Sequence, residues 1–567
     1  MMTPGLREFV IDAPAGDAPA GDAPAGDASA GDASAQDLLA AALATLSQSF
    51  TVMPEPAAAG THRRTWLDTF DWRLYRAGLV LQFEQARRGG RLLLNKADGT
   101  PQAEQPVTGW PRRPRLAEDL PEGPVRDRIV VLTSPRALLP IVRAVSTVSV
   151  TRLLNADGKT VARLVADRTT VTAPSAPSSG PAAGTTAELP PRLAVTEVRG
   201  YPAQARKAAG LLAAAPGISH ASQSVFTAAL TALGRHPADY TSGVEAEITA
   251  TMPAPVAVAR LLLRLLDTVE LNVDGVLRDI DTEFLHDLRV AVRRTRSAIK
   301  LLGGVLPAEL AEHYKIEFKW LGDLTTPTRD LDVHLLGFGP MTEGLVAASP
   351  ADLEPLRAFL VRRRAREFRR LATALRGPRF RAITDDWRKA LLEVRDAGAP
   401  KRRRREPVAV ELAISTTGRA FRRIAAQGGA ITPASAPESL HDLRKRAKEL
   451  RYLLEFFAPL HDPVAYRKVV GDLKSLQDCL GEFQDSQVQR EEIHALADAM
   501  LAERAAPAAT LLAMGEIAAK LAVSQAEARA DFARRFARFA GPEGRQRIRT
   551  LLAEASEPAK AAEAASR

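Results

Sequence analysis

The sequence predicts an α+β domain followed by an all-α domain that contains an internal duplication. Three observations support this fold class. From residue 61 to about 235, short β-rich runs are punctuated by Gly and Pro. From 256 to about 540, almost every window has apolar residues at the 3.6-residue spacing of a helix. Within this second part, the sequence that begins at His286 recurs in the same order 155 residues later, at His441, which indicates a copied structural unit.

Composition and charge restrict the class of protein. A chain of 567 residues is long enough for two to four domains. The net charge of +10, with arginine runs at 361–370 and 401–406, points to an acidic partner such as nucleic acid, an anionic membrane or polyphosphate. An aromatic content of 5% is low for a surface that stacks on bases. Cys479 is the single cysteine, so an internal disulfide is excluded.

The apolar runs are interrupted by arginine, and the N-terminus has no apolar core of signal-peptide length. We therefore predict a cytoplasmic protein with no membrane span.

The first domain is predicted to occupy residues 1–235. Its pentad repeat at 12–36 is too poor in large apolar residues to pack, which favours a flexible spacer. A short helix is expected at 37–50, and a Pro/Ala/Ser/Gly stretch at 173–191 is expected to be a flexible surface loop. Further helices are predicted at 136–148 and 203–215. The β-rich runs read GLVLQFEQ, GRLLLNKADG, DRIVVLT, TVSVTRLLNADGKTVARLVADRTTV and RLAVTEVRG, the fourth with hairpin-turn residues at Asp157-Gly158.

A polar, Pro-containing linker is predicted at 236–255 and separates this domain from the helical domain at 256–540. An Ala/Glu-rich tail at 541–567 is expected to be partly disordered. The helical periodicity predicts eight long helices, at 256–281, 283–302, 308–324, 351–375, 408–427, 438–458, 463–480 and 508–539. Together with the repeat, these helices predict two pseudo-equivalent helical bundles packed together.

The recurring feature of the repeat is a basic helix face. His286, Arg289, Arg293 and Arg296 are matched by His441, Arg444, Lys448 and Arg451. These spacings place each set within roughly 80° of one helix face. Lys300 falls in the same arc, although its counterpart is Glu455, and Lys319 is matched further on by Lys474. Stacked like charges disfavour a helix, so their presence in both copies indicates an anionic counter-charge.

One such face alone is ordinarily only a solvated surface, and that alternative stays open for either copy taken by itself. Histidine is equally ambiguous, because it can cap a helix, lie half-buried or donate to a phosphate when protonated. Neither His286 nor His441 has a second His or Cys three or four residues away, so a zinc site is not predicted there. We predict no metal and no cofactor.

The C-terminal half resembles the CHAD family, the conserved-histidine α-helical domain. The motifs that carry the resemblance are LHDLRVAVRRTRS, FKWLGDLTTPTRDLDV, SLHDLRKRAKELRYLLEFF and LKSLQDCLGEFQDSQV. The resemblance implies two pseudo-symmetric four-helix bundles with a basic groove between them, binding of inorganic polyphosphate, and localisation at polyphosphate granules. The residues expected to bind polyphosphate are His286, Arg289, Arg293, Arg294, Arg296, Lys300, Lys319, Arg329, His441, Arg444, Lys448, Arg451 and Lys474. The carboxylates expected to orient these bases are Asp330, Asp332, Asp478 and Asp485.

The N-terminal domain resembles a degenerate CYTH domain, which implies an antiparallel barrel-like sheet forming a triphosphate tunnel. The supporting motifs are TWLDTFDWRLYRAGLVL, the hairpin around Asp157, TEVRG and SQSVFTAALTALG. Most of the family's charged tunnel positions are changed. Glu8 and Glu197 are kept, whereas the departures are Val10, Asp12, Gln82, Glu84, Val195 and Val225. Glu84 would repel a phosphate, so we do not predict an enzyme. The retained Asp68, Asp71, Lys96 and Arg152 are predicted to maintain the fold.

The leading functional hypothesis is therefore non-catalytic binding of inorganic polyphosphate by the duplicated helical domain. Two alternatives remain. One is a metal-dependent triphosphatase that uses the N-terminal domain. The other is a nucleic-acid-binding protein, which the arginine runs favour and the absence of interleaved aromatic residues disfavours.

Overall fold

The chain divides into two compact units, Met1–Thr241 and Ser242–Arg567. The boundary falls inside the segment 236–255 that the sequence marks as a linker. The structure is a computed structural model, and the residues that it describes are 7–11, 28–110, 113–174, 184–397 and 407–565.

An antiparallel sheet forms the centre of the first unit. Its strand order is β12-β1-β11-β9-β8-β3-β4-β5-β6, with β10 paired to β9, and β2 and β7 paired to β8. The strands within the described residues are β1 (Arg7–Ile11), β2 (Thr51–Pro54), β3 (Gly60–Asp68), β4 (Leu79–Gln85), β5 (Gly90–Lys96), β6 (Pro101–Val107), β7 (Arg115–Leu116), β8 (Ala137–Leu154), β9 (Thr160–Thr172), β10 (Thr186–Glu188), β11 (Arg192–Glu197) and β12 (Ile218–His220).

The sheet is open, so the expectation of a barrel-like, closed sheet is wrong. Strands β12 and β6 lie at the two ends of the order and are not paired with each other in the described part of the chain. The helix at Pro124–Thr133 covers the outer strand β6. The Gln105 side chain on β6 accepts hydrogen bonds from the backbone N–H groups of Val125 and Arg126 in the first turn of that helix. Covering an edge strand in this way removes a site for unwanted strand pairing.

Five helices flank the sheet within the described residues. They are α1 (Ala28–Ser47), α2 (Arg73–Arg76), α3 (Pro124–Thr133), α4 (Pro202–Ala213) and α5 (Val225–Ala232). The hairpin of β8 and β9 and the helix predicted at 203–215 are confirmed.

Two neighbouring segments have the opposite secondary structure from the one predicted. Residues 127–133, predicted as a strand, lie in α3, where Pro124 occupies the first turn and favours a helix start. Residues 136–148, predicted as a helix, belong to β8, which pairs with both β3 and β9 along most of its length. Its β-branched residues suit that central position in the sheet.

Helix α1 begins at Ala28 rather than at 37, and therefore includes the end of the pentad repeat that was predicted as a flexible spacer. Its C-terminal half explains why a helix forms here, because Ala42 and Leu46 are buried against Phe9, Leu193 and Leu212. The remainder of the repeat, residues 12–27, lies outside the described residues.

The short strand β10 pairs with β9 inside the segment 173–191 that was predicted as a loop. Residues 175–183 of that segment lie outside the described residues.

The second unit is helical. Its helices within the described residues are α6 (Ala254–Leu277), α7 (Thr282–Leu302), α8 (Ala308–Leu336), α9 (Phe338–Thr342), α10 (Glu354–Leu375), α11 (Pro378–Ala397), α12 (Ala409–Gly429), α13 (Pro437–Phe456), α14 (Pro463–Ala502), α15 (Ala508–Ala540) and α16 (Pro542–Ala565). All eight predicted helices are present. Helix α8 continues through Pro327 to Leu336, α14 is longer than predicted, and α9 and α11 were not predicted.

Most of the tail that was predicted to be partly disordered is helical, because residues 542–565 form α16. Ile548 and Leu551 are 3% and 0% exposed and lie in one hydrophobic cluster with Phe421, Leu473 and Phe539. The segment is rich in alanine, but it also has enough large apolar residues for one face of a helix to pack.

Helix starts in this unit recur at a constant spacing. Helices α6, α7 and α8 begin 155 residues before α12, α13 and α14 respectively. The backbone just before α6 pairs with the backbone just before α12. There, Ala254 N–H donates to Pro407 O at 2.9 Å, and Ala409 N–H donates to Met252 O at 2.8 Å. These two hydrogen bonds exchange equivalent positions, as two copies related by a twofold axis would.

Candidate anion-binding cleft

Helices α7 and α13 form the walls of a cleft of about 560 Å³ in the second unit, and α14 contributes one side of it. The cleft brings together basic residues of both sequence copies. The cationic residues that line it are His286, Arg293, Arg294, Arg444, Lys448 and Arg451. The other lining residues are Ser242, Asp287, Val290, Tyr452, Glu455, Gln477, Asp478, Gly481, Glu482 and Asp485.

Two ion pairs join α7 to α13. Arg294 Nη2 lies 2.8 Å from Glu455 Oε2, and Lys300 Nζ lies 2.6 Å from Glu449 Oε1. Since Arg294 is 155 residues from Glu449 and Lys300 is 155 residues from Glu455, the two pairs occupy equivalent positions with inverted polarity. Arg294 also donates to Ser242 O at 2.8 Å. Arg294 and Lys300, both predicted as ligand contacts, therefore hold the two helices together.

Lys448 lies at the electrostatic centre of the cleft. Burial, together with the positive charges of Arg444, Arg293 and Arg451, lowers its pKa to about 8, while Asp485 opposes these effects. Its ammonium group has no hydrogen-bond or ion-pair partner among the described residues. A half-buried cation crowded by other cations is a costly arrangement, which a bound anion would relieve.

Arg444 is held beside Lys448 by α14. Its Nη2 donates to Asp485 Oδ1 at 2.8 Å, which orients the guanidinium as predicted for that carboxylate. The Nε of Arg444 is buried and has no acceptor in the described part of the chain. Arg451 is oriented by Glu455 and Gln477, through Nε at 2.7 Å and Nη1 at 3.4 Å. A buried donor without an acceptor is unfavourable unless a ligand satisfies it.

The first copy continues this basic surface along α7. Arg289 donates to Thr326 Oγ1 at 2.6 Å and is thereby fixed against α8. Burial lowers its pKa, and Arg293, Arg329 and Arg296 act in the same direction, whereas Asp330 opposes them. Arg293 therefore acts electrostatically on both Arg289 and Lys448. The basic residues of the two copies form one continuous positive field.

The two histidines sit at the starts of the basic faces. His286 lines the cleft, and His441 lies one turn before Arg444 on the same face of α13. The Nδ1 of His441 donates to Gln484 Oε1 at 2.6 Å, a contact that fixes the ring. Arg329, the counterpart of Gln484, instead donates to Thr282 O at 3.2 Å near the start of α7. Gln484 and Arg329 differ in chemistry, but Gln484 contacts α13 near its start and Arg329 contacts α7 near its start.

Several predicted ligand residues lie outside the lining of this cleft, namely Arg289, Arg296, Lys300, Lys319, Arg329, His441 and Lys474. Lys319 is exposed and pairs with Asp323 at 2.7 Å within α8. Lys474 is exposed on α14, and Arg296 is exposed on α7 beside Gly322. The cleft is therefore more compact than the full series of basic residues.

Carboxylates accompany the bases, as the sequence suggested, but not always at the predicted partner. Asp332 was predicted to orient a base of the binding set. It instead pairs with Arg364 of α10 at 2.7 Å, and Arg364 is not in that set. Asp478 and Glu482 face the cleft from α14. Sequence reasoning missed Tyr452, whose ring lies 6.0 Å from the Arg293 guanidinium, and the anchoring role of Glu455. The sequence held a signal for this role of Glu455, because its counterpart in the repeat is the oppositely charged Lys300.

No group of three or more His, Cys, Asp and Glu side chains suited to a metal ion occurs within the described residues. Over the same residues, no helix is both long enough and apolar enough to cross a membrane.

A comparison with known protein families identifies the core of the helical unit. Residues 260–494 match the family model described as the CHAD domain. The chain contains a CHAD domain. This stretch includes α7, α8, α13 and most of α14, and with them every residue that was predicted to bind polyphosphate. The CHAD domain therefore carries the cleft.

Known relatives share only part of the chain. An uncharacterized protein of Mycobacterium tuberculosis is 28% identical over 234 residues, which are 39% of this chain and 42% of that protein. This chain thus spans about two fifths of the relative's length. Among solved structures, the CHAD domain from the plant Ricinus communis has 24% identity and a TM-score of 0.44, covering 52% of this chain and 95% of that one. PptA from Streptomyces chartreusis has 17% identity and a TM-score of 0.39, and the match covers 50% of this chain and 99% of PptA.

Removing the carboxylate of Glu455 tests whether the ion pairs hold the cleft together. Glu455→Gln leaves the half-buried Arg294 without a counter-charge, and we expect the free energy of unfolding to fall by about 2 kcal/mol. Glu449→Gln is the matched control, since Lys300 is 66% exposed and the loss should stay below ~1 kcal/mol. Urea denaturation of the full chain measures both. Equal losses in the two variants would contradict the assigned role of Arg294.

Proposed function

We propose that the protein binds inorganic polyphosphate, without catalysis, in the cleft between α7 and α13. The observation that carries the proposal is the position of Lys448, half-buried among Arg293, Arg444 and Arg451, with no direct ion-pair partner among the described residues. A linear polyanion supplies several successive negative charges to a cleft lined by several bases. Guanidinium groups can contact phosphate oxygens in a bidentate manner, and lysines act as point charges.

We infer that the helical unit is a duplicated structure and that both copies contribute to one site. The constant spacing of helix starts, the exchanged hydrogen bonds before α6 and α12, and the ion pairs of inverted polarity support this inference. Arg293 and Lys448 are equivalent residues, one from each copy, and their charges interact. A single groove shared by two pseudo-symmetric bundles accounts for all four observations.

We further propose that the first unit is a degenerate CYTH-like domain with no catalytic role. Several of its sheet arginines are neutralised by carboxylates of the same unit, as in the pairs Arg64–Asp167 at 3.1 Å and Arg192–Glu8 at 3.3 Å. Glu84, at a position where an arginine was expected, lies 2.7 Å from Arg91. Arginines that are already paired are poorly suited to hold a triphosphate.

The retained carboxylates of this unit have structural partners. Asp68 is buried and accepts hydrogen bonds from the backbone N–H groups of Thr69, Leu74 and Tyr75, and Asp71 pairs with Arg73 at 2.9 Å. These contacts fix the turn into α2 and agree with the predicted role of Asp68 and Asp71 in maintaining the fold.

Neutralising the two central cations tests the shared groove. We expect Arg293→Ala and Lys448→Ala each to weaken binding of a long-chain polyphosphate by about tenfold, because each removes one charge-assisted contact. By analogy with nucleic acids, the salt dependence of the logarithm of the association constant should become shallower by about one unit for each removed contact. Fluorescence titration of labelled polyphosphate at several salt concentrations gives both quantities.

The control for this experiment is Lys319→Ala, which removes an exposed lysine that is paired with Asp323 and lies outside the cleft. Its affinity should change less than twofold if the site is local. A loss in only one of the two central variants would contradict a groove shared by both copies.

The lowered pKa of Lys448 predicts a pH dependence of binding. The amine is protonated below a pH of about 8 and loses its charge above it, so polyphosphate affinity should fall by about tenfold as pH rises from 7 to 9.5. Lys448→Arg should remove this decline, because an arginine stays protonated throughout that range. The same titration at a series of pH values checks the prediction. A decline that persists unchanged in Lys448→Arg would show that another group is responsible.

A further inference from the structure

A second concave cluster of cations lies on the other side of α13. Its volume is about 110 Å³, and it is lined by α12, α13 and the end of α7. The basic residues that line it are Lys300, Arg419, Arg423 and Arg446, and Glu449 is the carboxylate among its lining residues. Three arginines thus converge on a small pocket that the basic helix faces of the repeat did not predict.

This pocket is separate from the cleft. On α13 it uses Arg446, Glu449 and Leu453, whereas the cleft uses residues such as Arg444, Lys448 and Arg451. At 100° per residue, the two sets point roughly 165° apart around the helix axis. One ligand group therefore cannot contact both sets at once from a single position.

The pocket has a surplus of positive charge. Glu449 is already paired with Lys300 at 2.6 Å. The guanidinium groups of Arg419, Arg423 and Arg446 make no hydrogen bond or ion pair within the described residues, and Arg419 and Arg423 are like charges one turn apart on α12. Like charges at this spacing destabilise a helix slightly, so nothing in the fold explains their placement.

The surplus is also a departure from the internal symmetry. The counterparts of Arg423, Arg446 and Lys300 at a spacing of 155 residues are Thr268, Ala291 and Glu455, whereas the counterpart of Arg419 is a base, Arg264. Three of the four basic positions of the pocket therefore have no basic counterpart in the first copy. The pocket is a feature of one copy, unlike the cleft, to which both copies contribute.

We propose that this pocket binds a single phosphoryl group, either free orthophosphate or the terminal group of a phosphate chain. Its volume of about 110 Å³, against about 560 Å³ for the cleft, favours one phosphoryl group over a run of several. Three guanidinium groups offer enough donors to satisfy the oxygens of one tetrahedral anion. The proposal goes beyond the binding of a chain in the cleft and does not depend on it.

Calorimetric titration of the full chain with orthophosphate and, separately, with long-chain polyphosphate tests the proposal. The double variant Arg423→Ala/Arg446→Ala should weaken binding of one of these probes on the order of tenfold. A loss confined to orthophosphate identifies a site for the free anion, and a loss confined to polyphosphate identifies a site for a chain end. Both positions are exposed on helices and alanine favours helix, so the variant should fold, which circular dichroism verifies.

Arg422→Ala is the matched control, because Arg422 is exposed on the same helix and does not line the pocket. It should leave both affinities unchanged. A second variant, Arg444→Ala/Lys448→Ala, separates the two sites, since it should weaken polyphosphate binding in the cleft and leave orthophosphate binding intact. The proposal is overturned if the pocket variant changes neither affinity, or if Arg422→Ala lowers affinity as much as the pocket variant does.

Discussion

The ion pairs between α7 and α13 are the interaction on which the cleft depends. Arg294–Glu455 and Lys300–Glu449 join the helices at positions that are equivalent in the two copies, with the charges exchanged. Had both copies kept the same sign at these positions, the helices would repel each other where they meet. The inverted polarity lets two strongly basic helices pack together and keeps the remaining bases free to face the cleft.

The same arrangement leaves an electrostatic cost in the folded protein. Lys448 is half-buried among three arginines, its pKa is lowered to about 8, and the buried Nε of Arg444 has no acceptor in the described part of the chain. A bound anion between the helices would offset this cost. The first unit shows the opposite situation, because Arg64, Arg91 and Arg192 are paired with carboxylates of that unit. This contrast is why the proposed binding site is assigned to the helical unit.

Much of the helical unit could be predicted from the sequence. The 3.6-residue periodicity located eight of its helices, and the constant spacing of 155 residues located both basic helix faces. The failures have identifiable causes. Residues 127–133 and 136–148 were exchanged between strand and helix, since short apolar runs fit either period and tertiary pairing decides between them. The open sheet could not be predicted from strand signals, because closure depends on pairing between distant edges.

The place of each base in the site depends on geometry as well as on spacing along the chain. Arg294 and Lys300 belong to the basic series by spacing, yet each points toward a glutamate of the other copy and serves to hold the cleft. Lys319 and Lys474 are matched in sequence but lie outside the cleft. The second pocket could not be predicted from the sequence, because its bases come from three different helices and only Arg419 and Arg423 are close along the chain.

Competition for the cleft between polyphosphate and RNA tests the central claim most directly. In this measurement, a labelled long-chain polyphosphate bound to the full chain is displaced at physiological salt by unlabelled polyphosphate or by RNA of equal total charge. The account predicts that RNA requires on the order of a hundredfold excess over polyphosphate for the same displacement, since stacking aromatic residues and a reading motif for bases are lacking in the sequence. Equal displacement by the two polymers would contradict it and would assign the cleft to polyanions in general.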